Sequence, residues 1–302
     1  MRVTVSKFAS TSQLASQFTE NNKVPTTANL AIFATYKTNE EAIEDVCHYI
    51  INNLSDIIQL PELFFIADKT ITNNVQQLGK IGELCKQLID QISAVLRPFQ
   101  YVCTSLVIEG NHQAVIISEH GLFSTQQQLH FCQRYQWAEL GDELNIIELP
   151  LEQGTINVAM LTADDANMSE IVKIAALNNI HLLLVPFDIQ EPCEVDHLLS
   201  QAAEHRICIA AASREKNFEK NLSIDNGNSV TQNANKNKNK KKVKPQKSTG
   251  FIADLLAHSS IITQYHSLDN QLIVKHQHGK ITKAVIHPIA DSSKIMAIKE
   301  SR

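Results

Sequence analysis

From about Ala28 the chain alternates short apolar runs with longer amphipathic stretches, the patterning of an α/β protein rather than of a helical bundle. Asn29 to Thr35 predicts a strand. Thr38 and Glu41 form a capping-box pattern ahead of a helix whose apolar face is Ala42, Ile43, Val46, Ile50 and Leu54. Ile57 to Leu60 predicts the next strand, ending at Pro61-Glu62-Leu63-Phe64-Phe65. Functional groups of open α/β sheets collect at such carboxyl ends. Val75, Leu78, Ile81, Leu84, Leu88, Ile92 and Val95 recur at helical spacing and predict a long helix stopped by Pro98. Tyr101 to Ile108 and Gln113 to Ser118 predict paired strands turning at Gly110-Asn111. Further strands are predicted at Ile146 to Leu149, Ile156 to Thr162, Leu182 to Val185 and Ile207 to Ala212, with helices near Met168 to Leu177 and Val195 to Glu204.

The rhythm breaks between Glu215 and Lys247, where Asn-Lys low complexity leaves almost no large apolar residue to bury. Regular patterning resumes at Thr249-Gly250-Phe251-Ile252, with strands near Ile261 to Tyr265 and Gln271 to Lys275. The segment is therefore read as an insertion within one domain. The expected organisation is a disordered tail over 1–27, a single domain over 28–290 interrupted by a disordered insertion at 215–247, and a tail over 291–302. Met1 to Thr19 contains Arg2 and Lys7, many serines and threonines and no acid, a bias shared with transit peptides. It lacks the apolar core of a secretory signal, and a disordered tail is the preferred reading.

A chain of 302 residues with 43% hydrophobic content can bury a large core. The formal charge of −5 hides an asymmetry, because Lys236, Lys238, Lys240, Lys241, Lys242, Lys244 and Lys247 fall together and leave an acidic body. Any contact with nucleic acid or an anionic membrane would have to come from Lys236 to Lys247, and a solvated loop is the simpler reading of that run. The six cysteines are scattered, without disulfide framework or zinc spacing. Apolar runs such as Ile180 to Phe187 are far shorter than the roughly 20 residues of a membrane span, so a soluble protein is expected, with the cytoplasm as default compartment.

Three ordered segments carry chemistry. The first is Ile57-Ile58-Gln59-Leu60-Pro61-Glu62-Leu63-Phe64. The second is Gly121-Leu122-Phe123 leading to Gln128-Leu129-His130-Phe131. The third is Val158-Ala159-Met160-Leu161-Thr162-Ala163-Asp164-Asp165, followed by Glu170, Ala175-Ala176-Leu177 and the strand Leu182 to Pro186. Together they resemble the signature regions of the nitrilase (carbon-nitrogen hydrolase) superfamily: a strand ending in Pro-Glu-Leu, a segment with a lysine two positions before a histidine, and a strand ending in the catalytic cysteine. Gln201-Ala202-Ala203-Glu204-His205-Arg206 and Thr249-Gly250-Phe251 resemble flanking pieces, so the likeness runs from about Asn29 to Lys275. It implies a four-layer αββα sandwich and an assembly of such domains into a homo-oligomer through the sandwich face; no cofactor or metal is expected from the residue pattern.

The resemblance also implies a mechanism in which the cysteine thiolate attacks a nitrile or amide carbon, the glutamate moves the proton and the lysine stabilises the developing charge. Glu62 keeps the glutamate position. Gln128 stands at the lysine position and Ala163 at the cysteine position. A methyl group forms no thioester. Gln128 retains a hydrogen-bond donor but no charge. Glu62, buried without an ammonium or thiol beside it, is expected to shift toward its protonated form. Its other reading is a polar residue satisfying backbone donors at the strand end. No cysteine lies between Cys132 and Cys193 to restore the nucleophile. Thr162 and Asp164 are expected to face away from Ala163 by strand alternation, and Asp165 is read as structural. No carboxylate stands near Gln133 to Tyr135, where the family often carries a second glutamate.

His130 is read as a surface or packing histidine, Cys193 as a loop or helix-start thiol, and His276, His278 and His287 as exposed rather than metal-binding. The chain is thus expected to be a catalytically inactive member of the fold that binds a small amide or carboxylate, or a homologous partner. The alternative is an amide (C–N bond) hydrolase in which Glu62 activates water directly, which needs another positive group near the pocket.

Overall fold

The computed structural model describes residues 1–6, 28–33, 37–66, 71, 74–131, 134–152, 154–188, 192–213, 250–253, 259–261, 275–277 and 281–286. Among the described residues fourteen strands form two seven-stranded sheets. One sheet holds β2 (Ala28–Phe33), β3 (Ile57–Glu62), β4 (Tyr101–Ile108), β5 (Asn111–Ser118) and β6 (Gly121–Gln127), extended beyond β2 by β14 (Ile281–Ile286) and β13 (Lys275–Gln277). The other runs β1 (Arg2–Ser6), β7 (Glu143–Leu151), β8 (Gly154–Met160), β9 (Leu182–Pro186), β10 (Cys208–Ala212), β11 (Gly250–Ala253) and β12 (Ser259–Ile261). The helices are α1 (Asn39–Ile51), α2 (Val75–Val95), α3 (Ala163–Ala166), α4 (Ser169–Leu177) and α5 (Pro192–His205).

Side-chain alternation assigns the layers. On β2, Leu30 and Ile32 join Ile57, Cys103, Ile116, Leu149, Val158, Met160 and Leu184 in a core between the two sheets. Ala31 and Phe33 point the other way and pack with Ile58, Leu60 and the apolar faces of α1 and α2. On the second sheet Ala159, Leu183, Val185 and Ile209 face outward against α4 and α5. A strand covered on both faces is largely apolar, and β3 is buried at every position, with Gln59 and Glu62 as its two polar residues. The order of layers is helix, sheet, sheet, helix, the αββα sandwich implied by the sequence.

Several expectations are corrected. Arg2–Ser6, assigned to the tail, forms an edge strand paired in parallel with β7. The side chain of Arg2 meets Glu143 at 2.7 Å, so the strand is held by a parallel ladder and a charge pair rather than by local pattern. Thr38 is the N-cap of α1 but its hydroxyl caps no backbone donor, so the capping box does not form. The hairpin between β4 and β5 turns at Glu109 and Gly110, both at positive φ, and β6 adds a strand to that hairpin that no alternation announced. Ile261 and Lys275 are the only described positions of the two late strands as predicted. Residues 7–27, the insertion at 215–247, His278, His287, the terminal tail at 291–302, Cys132 and the side chains of Cys193 and His276 lie outside the described residues. No helix among the described residues is long and apolar enough to cross a membrane.

Candidate functional site

Glu62 ends β3 at the sheet's carboxyl edge, with its side chain fully buried. The next residue, Leu63, has φ 42, a conformation unfavourable for a branched side chain, which turns the chain sharply away from the sheet. The Leu63 N–H donates to Ser105 Oγ at 3.2 Å, and the Glu62 N–H donates across to the Phe187 carbonyl at 3.2 Å. That second bond ties the carboxyl ends of β3 and β9 together and sets Asp188, the residue after Phe187, beside Glu62.

Arg134 fills the space between them. Its Nη1 donates to Glu62 Oε2 at 2.9 Å and lies 3.5 Å from Asp188 Oδ2, while Nη2 donates to Asp164 Oδ2 at 2.9 Å. Burial alone would lower the guanidinium's pKa, but the charges of Glu62 and Asp164 outweigh it and hold the group above its ordinary value. The buried Tyr135 ring lies 5.4 Å from the Arg134 guanidinium carbon and 4.4 Å from the His112 ring, tilted 48° to it. Burial first, and then the charge of Glu62, push the Tyr135 hydroxyl's pKa up and keep it a neutral donor.

A second network runs through Gln128 and has a determinate proton order. The His130 carbonyl can only accept, so the Gln128 group 2.6 Å from it is its NH2, and Oε1 faces His112 Nδ1 at 3.2 Å. Nδ1 therefore carries a hydrogen, and in the neutral imidazole Nε2 accepts from the Ser105 hydroxyl at 3.0 Å, while Ser105 Oγ accepts from Leu63. This chain of bonds links the second sequence segment to the turn that carries Glu62, and brings His112 Nε2 to 3.4 Å from Glu62 Oε1.

Ala163 is the first residue of α3 and is buried. Because the strand has ended at Met160, side-chain alternation no longer applies at 162–164. Thr162 turns back to donate to Asp165 Oδ2 at 2.9 Å, whereas Asp164 reaches Arg134, so the expectation that Asp164 faces away from the site fails. Asp165 is structural as expected: it accepts the N–H groups of Leu129 and His130 at 2.8 Å each, binding the second segment to the third. Burial raises its pKa and these bonds oppose the rise. His130 is exposed, with Nδ1 3.4 Å from Asp165.

The three sequence segments thus converge, but two chemical expectations change. The cation held to be missing near Glu62 is present as Arg134, which removes the premise that Glu62 lacks a positive neighbour. The Gln128 amide is engaged at both ends, by His112 and by the His130 carbonyl, and is not directed at a reacting atom. Arg134 and Asp188 went unnoticed in the sequence, although Arg134 is the single lysine or arginine between Arg97 and Lys173, which was the available signal. The described thiols offer no substitute nucleophile. Cys85 is buried behind the first sheet with its pKa pushed up to about 12, burial raises that of Cys103 in the layer between the sheets, and Cys47 on α1 is pushed up to about 11. Among the described residues no group of three or more histidines, cysteines and acids is placed to hold a metal ion.

No family model and no curated protein matches the sequence. Solved structures do. The chain is similar to a carbon-nitrogen hydrolase from Helicobacter pylori G27, at 14% identity over 91% of this chain and 93% of that one, with a TM-score of 0.63. It is also similar to an amidase of the nitrilase superfamily from Nesterenkonia sp. AN1, at 14% identity over 92% of this chain and 99% of that one, with a TM-score of 0.58. Another structure of that amidase, at 14% identity over 90% of this chain and 96% of that one with a TM-score of 0.58, carries the acetamide moiety of fluoroacetamide on its active-site cysteine. The fold of this chain is that of the nitrilase superfamily of carbon-nitrogen hydrolases.

Proposed function

We propose that this protein is a catalytically inactive relative of the carbon-nitrogen hydrolases, in which Glu62, Gln128 and Ala163 mark the former catalytic positions and the site around them serves binding. The observation that carries this reading is the position of Ala163, at the strand-to-helix turn where the amidase mechanism implied by the resemblance needs a thiolate. No described thiol lies near Glu62, and the polar groups that remain are bound to one another: Glu62 to Arg134, Gln128 to His112 and His130. A small amide or carboxylate, or a homologous chain in a mixed or homo-oligomer through the sandwich face, is the partner the resemblance implies. The test is hydrolysis of a panel of amides, ureido acids and nitriles by the full-length protein, with Ala163→Cys plus Gln128→Lys alongside. An inert wild type with activity gained in the double variant supports the reading, and wild-type turnover overturns it.

A second reading is favoured by one observation. Arg134 supplies the positive group that an amide hydrolase using Glu62 as a base for water would require, 2.9 Å from the carboxylate. Here turnover would be present in the wild type and abolished by Glu62→Gln; equal rates in the two would sink it.

A further inference from the structure

Among the described residues β1 is the last strand of its sheet, with β7 on one side and the other side open. The Arg2 N–H donates to the Asp142 carbonyl at 2.8 Å, which fixes the sense of the ladder. Backbone groups point alternately to the two sides of a strand. Arg2, Thr4 and Ser6 therefore face β7, and Val3 and Val5 turn their N–H and C=O groups to the open side. Such a row is a template for another strand, and edges that stay single are blunted by lysine, proline, a bulge or a covering element. Val3-Thr4-Val5-Ser6 contains no lysine or proline, the ladder to β7 runs without a shift in register, and the charge of Arg2 is engaged by Glu143 at 2.7 Å.

The side chains agree. Val3 packs against the outer core that contains Leu144 and Ile146, while Val5, on the same face, is 53% exposed. Thr4 points to the opposite face, where its hydroxyl donates to Asn145 Oδ1 at 2.6 Å and Asn145 Nδ2 donates to the Thr125 carbonyl at 3.0 Å. β1 is thereby held to β7 and, through Asn145, to β6 of the other sheet, and it presents a fixed edge.

What matches this edge is the edge itself. A two-fold axis through Thr4 sets two β1 strands antiparallel, with Val3 of each opposite Val5 of the other. Both members of such a pair turn their backbone groups outward, so the two pairs exchange four N–H to C=O bonds, and Thr4 meets its own copy as a non-hydrogen-bonded pair. Val5 gains a cross-strand apolar neighbour on its exposed face. The two Arg2 side chains fall four residues apart along the strands, about 14 Å, beyond the screening length of about 8 Å at physiological salt, so like charges do not meet.

We propose that β1 is a self-association edge, through which two copies of this chain pair antiparallel about Thr4 and join their β1-bearing sheets into one. The contact is the sheet edge and not the sandwich face, and it is independent of whether the site at Glu62 is catalytic. Five residues a side bury less than a standard interface, so the dimer is weak and concentration-dependent.

The experiment is sedimentation equilibrium of the full-length protein from micromolar to millimolar concentration. The expected result is an average mass that rises from 33.7 kDa toward the doubled value. Val5→Lys sets two ammonium-bearing side chains on diagonal positions about 7–8 Å apart across the axis and should weaken association roughly tenfold or more, with the melting temperature at low concentration unchanged. Val5→Thr, β-branched and uncharged, should keep the dimer. Thr4→Cys should give a disulfide-linked dimer under mild oxidation, because opposite residues of a non-hydrogen-bonded pair stand about 4.5 Å apart at Cα, and the wild type treated alike should not. A protein that is monomeric throughout overturns the proposal and leaves the edge to a strand of another protein. A dimer equally strong in Val5→Lys lies on another surface and overturns it as well.

Discussion

Glu62 and Arg134, 72 positions apart, meet at 2.9 Å through Oε2 and Nη1. The pair places a permanent cation against a fully buried carboxylate. Removing one member of a buried pair strands the other. Arg134→Met is therefore expected to destabilise the protein by about 3–5 kcal/mol, and Glu62→Gln added to it should recover a large part of the loss. Urea unfolding of the two single variants and the double variant measures the coupling; strict additivity would show that the pair does not interact.

Asp165 holds the second and third signature segments together by accepting from the Leu129 and His130 N–H groups and the Thr162 hydroxyl. Asp165→Ala leaves the Leu129 N–H and the Thr162 hydroxyl buried without a partner, at about 1–3 kcal/mol apiece, and frees the part-buried His130 N–H at a smaller cost. Thr162→Val, which removes one donor and leaves the carboxylate two, should cost only about 1 kcal/mol. Denaturant midpoints of the two variants order them, and an equal loss would contradict this division.

Gln128 fixes the proton on His112. Nitrogen NMR of the imidazole should find the hydrogen on Nδ1, with Nε2 acting as acceptor. Gln128→Met deprives His112 Nδ1–H and the His130 carbonyl of their partners and is expected to cost about 1–3 kcal/mol for each group left unsatisfied. The same spectrum should then show loss of the single tautomer.

His181 gives the fold a predictable acid sensitivity. Burial holds its pKa below the ordinary 6.5, and its Nδ1 accepts the Asn157 N–H at 2.9 Å. A depressed folded-state pKa contributes stability that is fully present above the ordinary value and is lost as pH falls through the depressed one. Melting temperature should fall as the pH drops below the ordinary 6.5 in the wild type and fall less in His181→Asn, whose amide oxygen accepts the same bond without titrating. Parallel profiles would place the acid sensitivity elsewhere.

The sequence by itself determined most of the elements between Ala28 and Ala212, and the resemblance it carries implied their layers. Alternation along β2 and β3 and the helical spacing from Val75 to Val95 are consequences of burying one face against a neighbour, and that pattern is written locally. Pro61-Glu62-Leu63 and the segments around Gln128 and Ala163 were legible through their resemblance to the family's signature regions, each a short run near a strand end. β1 was not legible: its five residues are held by a parallel ladder to β7 and a charge pair across 141 positions, neither of which leaves a mark in a short tail. The direction of Asp164 was misjudged because periodicity predicts orientation only while the strand continues, and β8 stops before it. Only the tertiary structure decided that Arg134, an isolated base in a turn, would sit against acids from three other segments. Ion pairs depend on distance in space, and the chain carries no local pattern that encodes it.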